Sequence, residues 1–262
     1  MIERVPWERL PEELRVDVEA HVGPVVSAEV VGQGLNCSAA LALVTEQRGR
    51  LFLKGVRLDD EPAVAALATE ARLNATVRRV GPAVVHSARL AGWACMVFTY
   101  VSDRNADLGP GSPDLPAVAD LLRRMERLAV PDPPLPSLAD RFGAHALPHE
   151  RAALAGGALL HTDTNPHNLL IDATGRAHVV DWAMPATGPA WVDAAYTAVR
   201  LVECGQPMRV ARAWLEGFES WRTADPAAVG AFVEVVCRWW SETVGEADAV
   251  GGNGRFRGLL ER

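Results

Sequence analysis

The segment HTDTNPHN, residues 161–168, gathers His161, Asp163 and Asn168, and Asp181 follows 13 residues after Asn168 (181 − 168). Between them, LLIDATGRAHVV reads as a strand, a turn at Thr174-Gly175 and a second strand. A hairpin returns its ends to one edge, so Asn168 and Asp181 can face a common point. One neutral amide oxygen and one carboxylate aimed together suit Mg²⁺, which takes few protein oxygens and keeps water and phosphate ligands. Asp163 is offset on the same loop. It can stay off the metal and orient a hydroxyl as a base. The plainer alternative is a polar turn with ordinary caps.

A second signal comes from a residue count. Lysine and arginine total 26, and Lys54 in LFLKGV is the sole lysine, leaving 25 arginines (26 − 1). One lysine can survive by chance in an Arg-rich, Ala-rich chain. The sharper alternative is that position 54 needs a compact ammonium, a point charge on a flexible stem, where a planar guanidinium would overfill the space. A buried site beside a phosphate makes that distinction.

These residues need elements to hold them. PEELRVDVEAH, residues 11–21, opens with Pro and early acids, a good helix start. Residues 27–56 read as strand, glycine turn, strand, turn and strand, with QRGR joining the runs 39–45 and 51–56 as a hairpin. Pro62 starts a helix that Gly81-Pro82 closes. Two further strands follow, AVVHSARL and WACMVFTYV. Gly, Pro, Ser and Asp cluster at 102–116, the mark of a linker. Beyond it the pattern is helical over 116–130, at the start of 149–160, and over 190–204, 207–222 and 226–244. The embedded hairpin interrupts these helices, and a Gly-rich tail, VGGNGRFRGLLER, is expected to be loose. The division expected is an N-lobe at 1–101, a linker at 102–116 and a helical C-lobe at 117–262, with a ligand cleft between the lobes.

Composition narrows the classes. With 49% hydrophobic and 23% charged residues the chain reads as ordinary globular protein. A net charge of −7 argues against a nucleic-acid partner, which requires Lys/Arg clusters. Cys37, Cys95, Cys204 and Cys237 form no CxxC, so neither a zinc ribbon nor a redox pair is indicated. His145 and His149 make no HExxH. The charged N-terminus lacks a signal peptide's apolar run, and no run reaches membrane-span length, so a cytoplasmic protein without a membrane partner is expected.

His-x-Asp-x-x-x-x-Asn is the catalytic-loop spacing of kinases. With Thr162 after the His and Asn-Pro-His before Asn168, the chain resembles the aminoglycoside phosphotransferase family from about Val26 to the helices near 240. That resemblance implies an α+β fold, bilobal and protein-kinase-like, with a small β-rich N-lobe and a mainly helical C-lobe. It implies a phosphotransferase that uses Mg²⁺ and ATP or GTP to phosphorylate a hydroxyl of a small molecule, an antibiotic or a metabolite. Asp163 would be the catalytic base, and Asn168 and Asp181 the metal ligands. Lys54 would reach the α/β-phosphates with Glu70 paired to it. Thr99, Tyr100 and Val101 would offer backbone groups to adenine, and Asp193 would be structural. In VGQGLNCS, Gly32 and Gly34 fit a phosphate loop whose amides extend to Ser38, but Cys37 stands where a third Gly belongs. The metal triplet is Asp-Trp-Ala, and only 12 residues (193 − 181) separate Asp181 from Asp193, too few for a peptide platform. A polycationic acceptor would need carboxylates, for which Asp193, Glu203, Glu216, Glu219, Glu234, Glu242 and Glu246 are candidates. A nucleotide-binding pseudokinase with a regulatory role is the alternative function.

Overall fold

The computed structural model describes residues 4–32, 37–132 and 135–261. Its contacts separate two units. The first runs to Arg104 and includes Leu170–Ala173 and His178–Ala183. The second holds Asn105–Leu169, Thr174–Ala177 and the chain from Met184 onward.

The first unit is an antiparallel sheet with a helix on each face. Its elements are α1 (Glu12–Val22), β1 (Val25–Val30), β2 (Ala39–Thr45), β3 (Gly49–Arg57), α2 (Glu61–Val77), β4 (Val84–Leu90) and β5 (Trp93–Thr99), and the strand order is β1-β2-β3-β5-β4. Strand alternation sorts the side chains. Leu51 and Leu53 of β3 join Leu41, Leu43 and Val97 beneath Leu14, Val18 and Val22 of α1. The intervening residues face the other way, where Val56, Ala40, Met96 and Phe98 pack with Leu67 of α2 and Phe52 lies against them. Lys54 has the parity of Phe52 and Val56, so the sheet itself turns the sole lysine toward α2. Asp60 caps that helix, accepting from the Ala63 amide at 3.1 Å, and Pro62 fills its first turn. The buried positions of α2 are Leu67, Glu70, Leu73 and Val77, a helical stripe with one acid in it.

A short hairpin, β7 (Leu169–Ile171) and β8 (Ala177–Val179), turns at Gly175 with φ 82°. Val179 donates its amide to the Val80 carbonyl at 2.9 Å, and a Cβ on Gly81 would stand 2.4 Å from the Val179 carbonyl oxygen. Only glycine lets this backbone approach. We expect Gly81→Ala to cost about 1–3 kcal/mol, the usual penalty of overpacking, and to lower the melting temperature by several degrees. An unchanged melting temperature would show that this contact does not fix β8, two residues before Asp181.

The second unit contains α3 (Leu115–Met125), α4 (Leu138–Phe142), α5 (Pro148–Ala153), β6 (Ala158–Leu160), β9 (Ala186–Gly188), α6 (Val192–Glu203), α7 (Met208–Leu215), α8 (Glu219–Arg222), α9 (Pro226–Val244) and α10 (Glu246–Gly258). Its core includes edge-on aromatic contacts of Phe232 with Trp191 (5.4 Å between centroids) and Tyr196 (5.2 Å).

Two sequence expectations are corrected here. The tail is not loose: residues 246–258 form α10, packed against α9. A Cβ on Gly252 would meet the Trp240 ring at 2.9 Å, and one on Gly258 would meet Met208 at 2.4 Å. The glycines that lower helix propensity are what allow close packing, and packing prevails. The single helix expected over 207–222 breaks into α7 and α8, because Phe218 leaves helical geometry (φ −105°, ψ 125°) to become fully buried. After the helix Pro148–Ala153, which matches the helical start expected for 149–160, residues 158–160 are a strand paired antiparallel with β9.

Candidate active site

The first unit assembles a three-residue charge cluster. Lys54 Nζ donates to Glu70 Oε2 at 2.8 Å and to Asp181 Oδ1 at 2.5 Å. Lys54 and Glu70 are 8% and 6% exposed, so neither charge is tolerable alone. Burial opposes the ammonium charge, but the pull of Glu70 and Asp181 outweighs it and raises the Lys54 pKa. The cation is therefore kept throughout the neutral range. Asp181 has φ 65°, rare for a non-glycine residue, and it directly follows the hairpin anchored on Val80. Asp60, nearer in sequence to Lys54 than Glu70 is, is occupied as the α2 cap.

The other nucleotide candidates vary. Gly32 is exposed with open space around it. The Ser38 carbonyl accepts the Val5 amide at 2.9 Å. Gly34 lies outside the described residues. At the end of β5, Thr99 donates its amide to the Ala83 carbonyl at 2.8 Å and accepts the Ala83 amide through its hydroxyl at 3.0 Å. The Tyr100 hydroxyl donates to Asp103, which also holds Arg50 at 2.7 Å, with the guanidinium 4.1 Å from the tyrosine ring centroid. Burial pushes the phenol up to about 12, and Asp103 adds to the shift. Val101, the next residue, is half-buried.

The second unit holds the catalytic-loop candidates. Both Asp163 carboxylate oxygens are engaged: Oδ1 accepts from Asn165 Nδ2 at 2.8 Å and Oδ2 from Asn168 Nδ2 at 3.0 Å. Asn168 Nδ2 also reaches the Asp163 carbonyl at 3.0 Å. Its amide orientation is thereby fixed, and Oδ1 is the atom turned away from Asp163. Asn165 is oriented in turn, because its side-chain oxygen accepts the His167 amide at 2.8 Å as the cap of a short 3₁₀ turn, Pro166–Asn168. Sequence reasoning did not single out Asn165; its place before Pro166, where an Asx cap is favoured, was the available signal.

This loop is held from beneath by Asp193, on the first turn of α6. Its carboxylate accepts the amides of His161 (2.8 Å) and Thr162 (2.9 Å), and its carbonyl accepts the Thr197 hydroxyl (2.8 Å), whose oxygen lies 2.8 Å from the Thr164 hydroxyl. Burial pushes the Asp193 carboxyl up, opposed by nearby His161 and the two amides. Thr162 has φ 67°, a genuine outlier for a β-branched residue. Asp193 on its amide and Met184 on its hydroxyl (2.7 Å) over-determine that conformation, and Arg141 from α4 donates to both the Thr162 hydroxyl and the Met184 carbonyl. Buried His161 acts as a hydrogen-bonder, its Nδ1 accepting the Asp163 amide at 3.3 Å. Asp193 is thus structural and unavailable to an acceptor. Of the other acidic candidates, Glu203 is paired with Arg200 and Arg255, and Glu242 faces His145 at 3.3 Å.

Residues 144–232, which contain this loop, match the model of the phosphotransferase enzyme family. No curated protein matches the chain. Among solved structures, it is similar to the aminoglycoside phosphotransferase APH(3'')-Id from Streptomyces rimosus in complex with ADP and streptomycin: 19% identity, 87% of this chain and 96% of that one, TM-score 0.62. A thermostable mutant of the aminoglycoside phosphotransferase APH(4)-Ia is 16% identical over 94% of this chain and 98% of that one, TM-score 0.61. The choline kinase LicA from Streptococcus pneumoniae is 14% identical over 95% and 98%, TM-score 0.60. At these identities the likeness shows the fold, an α+β, protein-kinase-like architecture, as expected from the sequence.

Proposed function

We propose that this chain, a phosphotransferase by the match over residues 144–232, transfers the γ-phosphoryl group of a magnesium-bound nucleoside triphosphate to a hydroxyl of a small molecule. The observation that carries this reading is the Asp163 carboxylate, oriented by two amides on a loop keyed to Asp193. Such a carboxylate suits accepting the acceptor hydroxyl's proton as the phosphoryl group departs its nucleotide. Lys54, charged and buried beside two carboxylates, would bind the phosphates as a compact cation. Gly32, Gly34 and Ser38 would border the phosphates, and Thr99, Tyr100 and Val101 the base.

Asn168 and Asp181, each taken by itself, would offer magnesium one oxygen. Asn168 presents Oδ1 because its nitrogen is committed to Asp163, and Asp181 retains Oδ2 beyond the oxygen that Lys54 takes. The metal would neutralise phosphate charge there. The structures named above supply the range of acceptors to try, from aminoglycosides to amino alcohols, and the donor is ATP or GTP.

Two measurements test the reading. Thermal unfolding with ATP, GTP and ADP, each with and without Mg²⁺, should show a Mg²⁺-dependent rise with a triphosphate, since a ligand that binds only the native state raises its stability. ADP or GDP release should then depend on one class of hydroxylated acceptor. Nucleotide binding without release across the acceptor panel would favour the pseudokinase reading, and no shift with any nucleotide would overturn both.

A further inference from the structure

We infer that Asp17, His21 and His86 form a divalent transition-metal site that clasps α1 to β4, apart from the phosphotransfer residues. Among the described residues these are the one group of three His, Cys, Asp or Glu side chains whose ligand atoms all lie within 4.8 Å of one another. Asp17 and His21 are four apart on α1 (21 − 17), so they project from one helix face. His86 reaches them from β4, against which α1 packs.

The hydrogen bonds have already sorted the ring nitrogens. His21 Nδ1 lies 2.8 Å from the Asp17 carbonyl, which can only accept, and 3.9 Å from Asp17 Oδ1; with Nδ1 donating to the carbonyl, the ring would ligate through Nε2. A backbone carbonyl on the far nitrogen is the usual way a ligating imidazole is oriented. His86 Nε2 sits 2.7 Å from Asp17 Oδ2, so a carboxylate oxygen and an imidazole nitrogen already point at each other. A metal entering between them takes the place of the shared hydrogen, with the ligating His86 then carrying its N–H on Nδ1. The two rings lie nearly parallel, 16° apart, with centroids 3.9 Å from each other.

Two nitrogens and one carboxylate oxygen suit Zn²⁺, Co²⁺ or Ni²⁺, with water completing the shell. Ligands about 2.1 Å from a tetrahedral ion stand about 3.4 Å apart, so closure draws the ligand atoms together, and the stacked His21 ring must turn out of the stack so that its in-plane lone pair meets the ion. His21, whose side chain is 52% exposed, is free to make this turn. His86 is fixed by burial and supplies the rigid side of the site.

The test uses the full chain, freed of metal with chelator and then titrated with Zn²⁺ alone by calorimetry and with Co²⁺ by visible absorption. We expect one tight equivalent, the absorption of a four-coordinate Co²⁺ ion, and a higher melting temperature. Loss of one imidazole should weaken binding by about 100-fold or more, since outer-shell partners alone are worth about 10–100-fold. The variants are His21→Ala, whose exposed side chain can be removed without disturbing the fold, and His86→Gln, which keeps a polar group of similar reach. Wild-type affinity in either variant, or no stoichiometric binding by the wild type, overturns the inference. Transfer activity is not the readout, so this result stands apart from the proposed reaction.

Discussion

Asp163→Ala should lose about 10²–10⁴-fold in kcat, the range a positioned general base contributes, while nucleotide binding is unchanged. The carboxylate accepts from Asn165 and Asn168, and none of its hydrogen bonds reaches the Lys54 cluster. Its removal would therefore take away the proposed proton acceptor and leave Lys54 in place, while Asn168 keeps its bond to the residue 163 carbonyl. The stability cost should be small, because Asp163 and Asn165 are only half-buried and water can replace the lost partner. Asp163→Asn separates charge from shape: it keeps the volume of the side chain but cannot take a proton at neutral pH, and it should be as inactive as the alanine variant. The measurements are steady-state turnover and the nucleotide-induced melting shift. A fully active Asp163→Ala protein would falsify the assignment of the base.

Lys54→Ala should fail on two counts, losing the Mg²⁺-dependent nucleotide shift and losing about 3–5 kcal/mol of stability, the usual result of removing one partner of a buried ion pair. Two carboxylates converge on this ammonium, and Glu70 is nearly as buried as the lysine. Without the cation they face each other unpaired. Lys54→Ala combined with Glu70→Ala should recover part of the stability, because the stranded charge has gone, but none of the nucleotide response. Lys54→Arg keeps the charge but has no room: Leu67, Val56 and Met96 crowd that face of the sheet. It should bind nucleotide more weakly than the wild type. Urea unfolding and the nucleotide melting series supply both readings. A Lys54→Ala protein with wild-type stability and nucleotide response would remove the lysine from the site.

Much of this site was legible one residue at a time. Strand parity around Phe52, Lys54 and Val56 and the apolar stripe of α2 are local patterns, and they bring Lys54 to Glu70, as the structure places them. Asp163 and Asn168 are five residues apart on one loop, so their contact also follows from short-range geometry. The contact of Lys54 with Asp181 spans 127 residues, and chain-local patterning does not determine it. Arg141 was invisible for a related reason. It sits on a five-residue helix beyond a Pro-rich connector, and its role exists only because the Thr162 hydroxyl and the Met184 carbonyl converge on it.

The sequence by itself determined the order of strands and helices in the first unit, the spacing of the loop residues and the face on which the lone lysine lies. Periodicity and turn chemistry act over a few residues and carry their own energies. Tertiary structure decided what those energies could not. It holds Thr162 at a positive φ through Asp193, 31 residues away, and it makes Asp193 an anchor rather than a surface acid. It also turns a glycine-rich tail into α10, because close approach to Trp240 and Met208 outweighs the low helix propensity of Gly252 and Gly258. In each case, packing and buried hydrogen bonds between distant segments exceed the small local preferences that a sequence displays.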